Sequence, residues 1–368
     1  MRAAAQVGLY RGARPPILLY EFAQRTEAFY QRRNNSTRLL SGDKNRRSAA
    51  DLLAQVCRRR LNRTIGEAMP VPEGTHAVGF LGLGAIGSPM AERLVQSGAN
   101  VVVYNRTSDK AERFRGRAEI AAAPADVADR ADIVFACLTT AESYREVILG
   151  PRGVVRGGRA KTYVHIGTNE VALLEELTAA LDKRGVATLD APMTGGVPRA
   201  IDGTLTVMAS GPRPVFERVA PLFKSYATKV VYLSERVGAA QIMKFVNNLL
   251  SASNLALACE AMVLGCKSGL DPMAMLEVLN NGSGQNSATL TKIPAQVLTR
   301  KFSHGGGLGS MIKDLTAFKG EADLQDVPVP LAEAVIACFR AAAAEEGEKS
   351  DITRIIRPME RVAGVTVS

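Results

Sequence analysis

Lys244, Asn247 and Asn248 are the residues whose types and spacing most plainly suggest chemistry. At i, i+3 and i+4 they share one helical face. They sit on a stretch from Ala239 to about Lys267 that has no proline and one late glycine, Gly265. Elsewhere that stretch is apolar on nearly every side, with Ile242, Met243, Leu249, Leu250, Leu255, Leu257 and Leu264. Such a helix is buried, between domains or between subunits. Burying unpaired polar groups is costly, so an amine and two amides there need a purpose. A lysine whose pKa is brought down from about 10.4 towards the working pH exchanges protons efficiently. Proton transfer to a positioned polar substrate is the chemistry this trio suits. The competing reading is a helix-end lysine that snorkels to solvent.

A second constellation lies far upstream. Ala77-Val78-Gly79-Phe80-Leu81 is a buried-strand run that leads into Gly82-Leu83-Gly84-Ala85-Ile86-Gly87. A helix follows over Ser88 to Ser97, ended by Gly98, and then the β-branched run Asn100 to Tyr104. This strand–turn–helix–strand frame gives each glycine a task. The first makes the tight turn, the second admits a pyrophosphate to the backbone, and the third lets helix pack on strand. The helix N-terminus adds unpaired N–H groups and positive dipole for phosphate. After the second strand the chain reads Asn105-Arg106-Thr107, 23 residues beyond Gly82. A carboxylate at this place would accept from the ribose hydroxyls of NAD and repel a 2′-phosphate. None is present and a guanidinium is, so NADP(H) is the preferred cofactor and NAD(H) the possible one. A solvated surface arginine is the bland alternative.

Further strand-like runs span 133–138, 162–166, 186–189, 204–209 and 230–233, and helical patterns take over after about residue 237. The expected fold is α/β: a Rossmann-type doubly wound sheet followed by an all-helical C-terminal domain. The expected divisions are a basic extension over 1–75, a nucleotide-binding domain over 76–237, and a helical substrate and dimerisation domain over 238–368.

Composition bounds the rest. The 368 residues are 46% hydrophobic and 22% charged, as in globular proteins with sizeable cores. Five cysteines without a CxxC pair and three histidines leave no zinc ligand set and no disulfide framework. The net charge of +10 is uneven, because residues 1–75 carry +8 and the other 293 only +2. That leader reads as a disordered extension or a stretch upstream of a start at Met69. It also reads as a mitochondrial targeting peptide, since residues 1–20 hold three arginines and no acid. A nucleic-acid-binding arm has only the charge in its favour. A cytoplasmic location is the default. Nucleic acid is not an expected partner of residues 76–368, and polar interruptions between Leu249 and Leu264 argue against a membrane span.

Four separated motifs carry a family resemblance over roughly residues 76–355. They are Gly79 to Ala91, then Asp190-Ala191-Pro192-Met193-Thr194-Gly195-Gly196 with Gly203-Thr204-Leu205, Lys244-Phe245-Val246-Asn247-Asn248, and Met311-Ile312-Lys313-Asp314-Leu315. Together, in this order, they resemble the β-hydroxyacid dehydrogenases of the 3-hydroxyisobutyrate dehydrogenase group, which includes tartronate semialdehyde and glyoxylate/succinic semialdehyde reductases. The resemblance implies hydride transfer between a nicotinamide and a small carboxylate-bearing aldehyde or hydroxyacid, with Lys244 as general acid/base and Asn248 holding substrate in register. It implies that Thr194, Gly195, Gly196 and Asn247 bind the substrate, and that Thr168 and Lys313 line the cofactor cleft. A homodimer or homotetramer is expected, because one small helical domain hardly covers every face of so apolar a helix.

Three positions depart from the pattern. Thr194 stands for the usual serine, Arg199-Ala200 for the frequent Gly-Ala, and His165-Ile166-Gly167-Thr168 for an Asp-x-Ser-Thr stretch. They bear on substrate identity more than on the chemistry. Phosphogluconate dehydrogenases carry His-Asn where this chain has Asn247-Asn248, and imine reductases lack the lysine. A non-catalytic nucleotide-binding reader of the same fold would have no use for Lys244.

Overall fold

The computed structural model describes residues 77–368. The basic leader, with its targeting and nucleic-acid readings, lies outside the described residues.

The glycine-rich frame forms as the sequence predicts. Strand β1 (Val78–Leu81) is followed by α1 (Gly87–Gln96), β2 (Val101–Tyr104), α2 (Ser108–Glu112), β3 (Glu119–Ile120), α3 (Pro124–Arg130), β4 (Ile133–Ala136), α4 (Ala141–Leu149), β5 (Thr162–His165), α5 (Val171–Asp182) and β6 (Ala187–Asp190). Strand β1 lies parallel between β2 and β4, with Leu81 level with Tyr104 and Ala136. The chain then turns through β7 (Met193–Thr194) and α6 (Gly196–Asp202) to β8 (Leu205–Ser210), α7 (Arg213–Phe223) and β9 (Ala227–Ser234). The sheet order is β3-β2-β1-β4-β5-β6-β8-β7, with β9 parallel to β8 and with β8 antiparallel to β6 and β7.

The central strands β1, β4 and β5 are buried on both faces, as helix-covered parallel strands are. Val78, Phe80, Val103, Phe135 and Val164 pack on one side, and Leu81, Val102, Val134, Ala136 and Tyr163 on the other. Each such side chain contributes roughly 1.5–3 kcal/mol when fully buried. The two-residue strands β3 and β7 escape the sequence reading because they are too short to show a period.

A 29-residue helix, α8 (Ala239–Lys267), leaves the sheet and forms the axis of the helical domain. Around it lie α9 (Pro272–Asn281), a π-helix (Ala288–Val297), α10 (Leu308–Leu324), α11 (Pro330–Glu346) and α12 (Ile356–Ala363). Cys259, Met262, Leu315, Phe339 and Ile356 form the centre of its core. By length and composition α8 would pass for a membrane span, yet Ala252, Leu255, Ala256 and Cys259 are buried in that core. It is not covered all round, however. Met243, Leu250, Leu257 and Leu264 stay exposed at seven-residue intervals.

Candidate active site

The site lies where the sheet's carboxyl ends meet the start of α8, the place where open α/β sheets put their ligands. The Gly82–Gly87 turn fits a dinucleotide. Gly82 has φ +95°, and a Cβ there would sit 2.3 Å from the Cys137 carbonyl oxygen, so the first glycine makes the turn. A Cβ on Gly87 would come within 2.1 Å of the Gly82 carbonyl oxygen, so it serves the helix–strand contact. Gly84 has no heavy atom within 4 Å of that position and faces the open side from which a pyrophosphate can approach. Ala85 is exposed beside it, and Ile86 half-buried at the helix cap. The first turn of α1 holds no acid and no side-chain cap, leaving its N–H groups for an anion.

Asn105 has a bracing task. Its Oδ1 accepts from the Leu83 amide at 2.9 Å, and its Nδ2 donates to the Thr107 carbonyl at 2.9 Å. It therefore locks the glycine turn onto the end of β2. Arg106 and Thr107 are exposed there, and Arg106 pairs with no acid among the described residues.

The floor is a buried polar chain. The Tyr144 hydroxyl accepts from the amides of Leu138 and Gly167 at 3.0 and 2.9 Å and donates to the Ala136 carbonyl at 3.1 Å, which ties β4 to β5. Its ring lies 4.2 Å from that of His165. Burial pushes His165 down to about 3, so the imidazole is neutral. Its Nε2 faces Asn169 Oδ1 at 3.1 Å and its Nδ1 faces the Tyr163 hydroxyl at 3.0 Å. Asn169 Oδ1 only accepts, so Nε2 carries the proton and Nδ1 accepts from Tyr163. The imidazole is thus a buried, neutral, hydrogen-bonded part of the floor.

Asp190 connects this floor to the helix. Gln241 donates to it twice, by its amide at 3.1 Å and by Nε2 at 2.7 Å, and Nε2 also donates to the Gly167 carbonyl at 3.0 Å. Ser210 accepts from the Ala240 amide at 2.9 Å. The first residue of the Asp-Ala-Pro motif therefore caps the first turn of α8. Burial pushes its carboxyl up to about 7 against the Gln241 and Ser210 hydrogen bonds. Cap and polar chain together fix how the Lys244–Asn248 face of α8 is presented to the sheet.

On that face the trio comes together as its spacing requires. Asn247 Nδ2 reaches Asn248 Oδ1 at 3.1 Å and Thr194 Oγ1 at 3.5 Å. Asn248 Nδ2 donates to Asp314 Oδ2 at 2.7 Å. Lys313 donates to the Thr168 carbonyl at 2.6 Å and lies 3.3 Å from Asp314 Oδ1, bridging α10 to the end of β5. Lys244 is half-buried and makes no hydrogen bond or ion pair among the described residues. Burial lowers its pKa, Asp314 opposes that, and Lys313 adds to it. Asp314 is in turn raised by burial, against the pull of Lys313, Lys244 and Asn248. An amine with a lowered pKa and a free Nζ is suited to give and take a proton.

Gly195 and Gly196 are exposed at the mouth, with φ of +133° and +72°. A Cβ on Gly195 would meet Arg199 Cδ at 2.7 Å, so the Arg199 stem packs on this turn. Asp314 and Gln241 were not singled out by the sequence reading. Asp314 sits inside the Lys313-Asp314-Leu315 motif, which is the signal that could have found it. Gln241 has no local signal.

Two family models cover nearly all of the described chain. Residues 77–234 match the NAD binding domain of 6-phosphogluconate dehydrogenase, and 238–359 match the NAD-binding domain of NADP-dependent 3-hydroxyisobutyrate dehydrogenase. The 2-(hydroxymethyl)glutarate dehydrogenase of Eubacterium barkeri is 32% identical over 294 residues, 79% of this chain and 97% of that protein. The mitochondrial 3-hydroxyisobutyrate dehydrogenase of Rattus norvegicus is 30% identical over 320 residues, 85% of this chain and 92% of that one. The chloroplastic glyoxylate/succinic semialdehyde reductase 2 of Arabidopsis thaliana is 30% identical over 289 residues, covering 78% and 80%. Among solved structures, Psf3 in complex with NADP+ and 2-OPP superposes with a TM-score of 0.70 at 28% identity, over 77% of this chain and 99% of that one. These likenesses and the nucleotide-fitting turn lead to one conclusion: the chain belongs to the β-hydroxyacid dehydrogenases of the 3-hydroxyisobutyrate dehydrogenase type, and is an NAD(P)-dependent enzyme.

Proposed function

We propose that the chain is an NADP-dependent oxidoreductase acting on a small β-hydroxyacid or semialdehyde acid, with Lys244 as the general acid/base. The observation that carries this is the convergence of the unpaired Lys244 amine, Asn248, Asp314 and Lys313 at the end of the sheet, next to the glycine turn Thr194-Gly195-Gly196. A nicotinamide, when bound, would supply the hydride acceptor in oxidation and the donor in reduction. Gly84, Ala85, Ile86 and Gly87 with the α1 N-terminus would hold its pyrophosphate, Arg106 and Thr107 would hold its ribose phosphate, and Thr168 and Lys313 would line the cofactor cleft. The Gly195 and Gly196 amides and the Thr194 hydroxyl grip the substrate carboxylate, and positive φ at both glycines turns the backbone for that approach. Asn247 keeps Thr194 aligned, while Asn248 orients the reacting oxygen towards Lys244. In reduction Lys244 would give its proton to the aldehyde oxygen, and in oxidation it would take the hydroxyl proton back.

Consumption of NADPH is expected with at least one of glyoxylate, succinic semialdehyde and tartronate semialdehyde, followed at 340 nm. Tight NADPH binding without turnover of any of them would leave only a nucleotide-binding scaffold.

The exposed seven-residue stripe of α8, Met243, Leu250, Leu257 and Leu264, supports self-association. It runs about 32 Å along the helix, and a heptad apolar seam suits another helix. A second copy of this chain is its proposed occupant. Sedimentation should give a multiple of 39.2 kDa; a monomer at micromolar concentration contradicts this.

A further inference from the structure

Lys292 presents a charge that the chemistry above does not use. It lies on the π-helix, 6% exposed. Its ammonium donates to Ser251 Oγ at 3.3 Å and to Ser287 Oγ at 3.2 Å. No acid pairs with it among the described residues. An ammonium has three donors, and two hydroxyls leave one unused. A buried cation without a counter-charge is expensive, and an apolar residue of similar size would be cheaper if its task were packing. Burial pushes the Lys292 pKa below the ordinary lysine range.

The placement of this charge follows from the helix it touches. Ser251 is seven residues beyond Lys244 on α8, which puts it about 20° from Lys244 around the axis and about 10 Å further along. From Asn247 and Asn248 the step to Ser251 is three or four residues, about 5–6 Å. Lys292 therefore stands on the catalytic face, one turn past the amides. The π-helical turn that carries it is held by Asn286, whose Oδ1 accepts from the amides of Ala288 and Thr289 at 2.8 and 3.2 Å.

We infer that Lys292, with Ser251 and Ser287, receives a second anionic group on the substrate, a carboxylate beyond the carbon that bears the first. The inference rests on the catalytic reading of Lys244, because that reading places the substrate on this face. A carboxylate arriving there supplies the missing counter-charge, and the two hydroxyls hold the ammonium in place for it.

Two hydroxyacids isolate the effect. 3-Hydroxyisobutyrate and 2-(hydroxymethyl)glutarate share one β-hydroxyacid core and differ only in carrying a methyl or a –CH2CH2COO– group at C2. Wild-type enzyme with NADP+ is expected to oxidise the diacid with at least tenfold higher kcat/KM. Lys292→Met should remove that advantage, mainly through KM, and leave the monoacid within threefold. Ser251→Ala should give a smaller loss of the same selectivity, and it serves if K292M does not fold. Glutarate binding to the NADP+-loaded protein, measured by calorimetry, is expected to weaken at least tenfold in K292M. This readout needs no turnover. If neither hydroxyacid is oxidised yet glutarate binds through Lys292, the catalytic reading fails and the subsite stands. Equal losses on both substrates, no diacid preference, or glutarate binding unchanged in K292M overturns the subsite.

Discussion

Lys244→Ala is expected to lower kcat by about 10³-fold in both directions while leaving NADPH affinity within about twofold. A positioned general acid or base contributes roughly 10²- to 10⁴-fold, and Lys244 is the amine here without a competing partner among the described residues. Cofactor affinity is spared because the turn, Asn105 and Arg106 are built on β1, α1 and the end of β2, away from α8. The pH profile identifies the group. Burial pushes the Lys244 pKa below its ordinary value and Lys313 adds to this, while Asp314 pulls it part of the way back. In oxidation the neutral amine is the base, so kcat/KM rises with pH through that lowered pKa and then levels. In reduction the ammonium is the acid, so the rate falls through the same pKa. K244A should lose this limb in both directions. A variant that keeps the limb, or keeps kcat within tenfold of wild type, removes Lys244 from the proton path.

What the sequence disclosed of this site was local. Spacing and backbone demands mark Gly82, Gly84 and Gly87, and helical periodicity marks Lys244, Asn247 and Asn248, because both signals lie within a few residues. The α8 span was legible from the same cause, an unbroken apolar run between Gly238 and Ser268. What stayed hidden depends on pairings across long stretches of chain. Gln241 meets Asp190 over 51 residues, Asn248 meets Asp314 over 66, and Lys313 meets Thr168 over 145. No local pattern shows that Asp190 caps α8 or that His165 is held neutral between Tyr163 and Asn169. The apolar run also concealed which face stays uncovered, since hydrophobicity records the wish for burial and not its partner. Asn105, read as a cofactor contact, spends its side chain on the turn itself.

That bracing by Asn105 makes the second large effect clean to test. Arg106→Asp is expected to invert cofactor preference, with kcat/KM for NADP(H) falling roughly 100-fold and NAD(H) rising severalfold. A charge-assisted hydrogen bond to the 2′-phosphate is worth about 1.5–3 kcal/mol, and a carboxylate in its place adds repulsion. The same carboxylate can accept from the ribose hydroxyls of NAD(H). The turn itself should survive, because Asn105 and not Arg106 ties Leu83 to Thr107. Arg106 is exposed, so the melting temperature should move little, as with most surface substitutions. The wild-type preference should also shrink as salt rises, because an exposed charge pair is screened. An unchanged ratio of the two kcat/KM values would show that the guanidinium does not face the 2′-phosphate. The cofactor would then be chosen by the exposed Thr107 or by backbone groups after β2, which distinguish the two nucleotides by shape and not by charge.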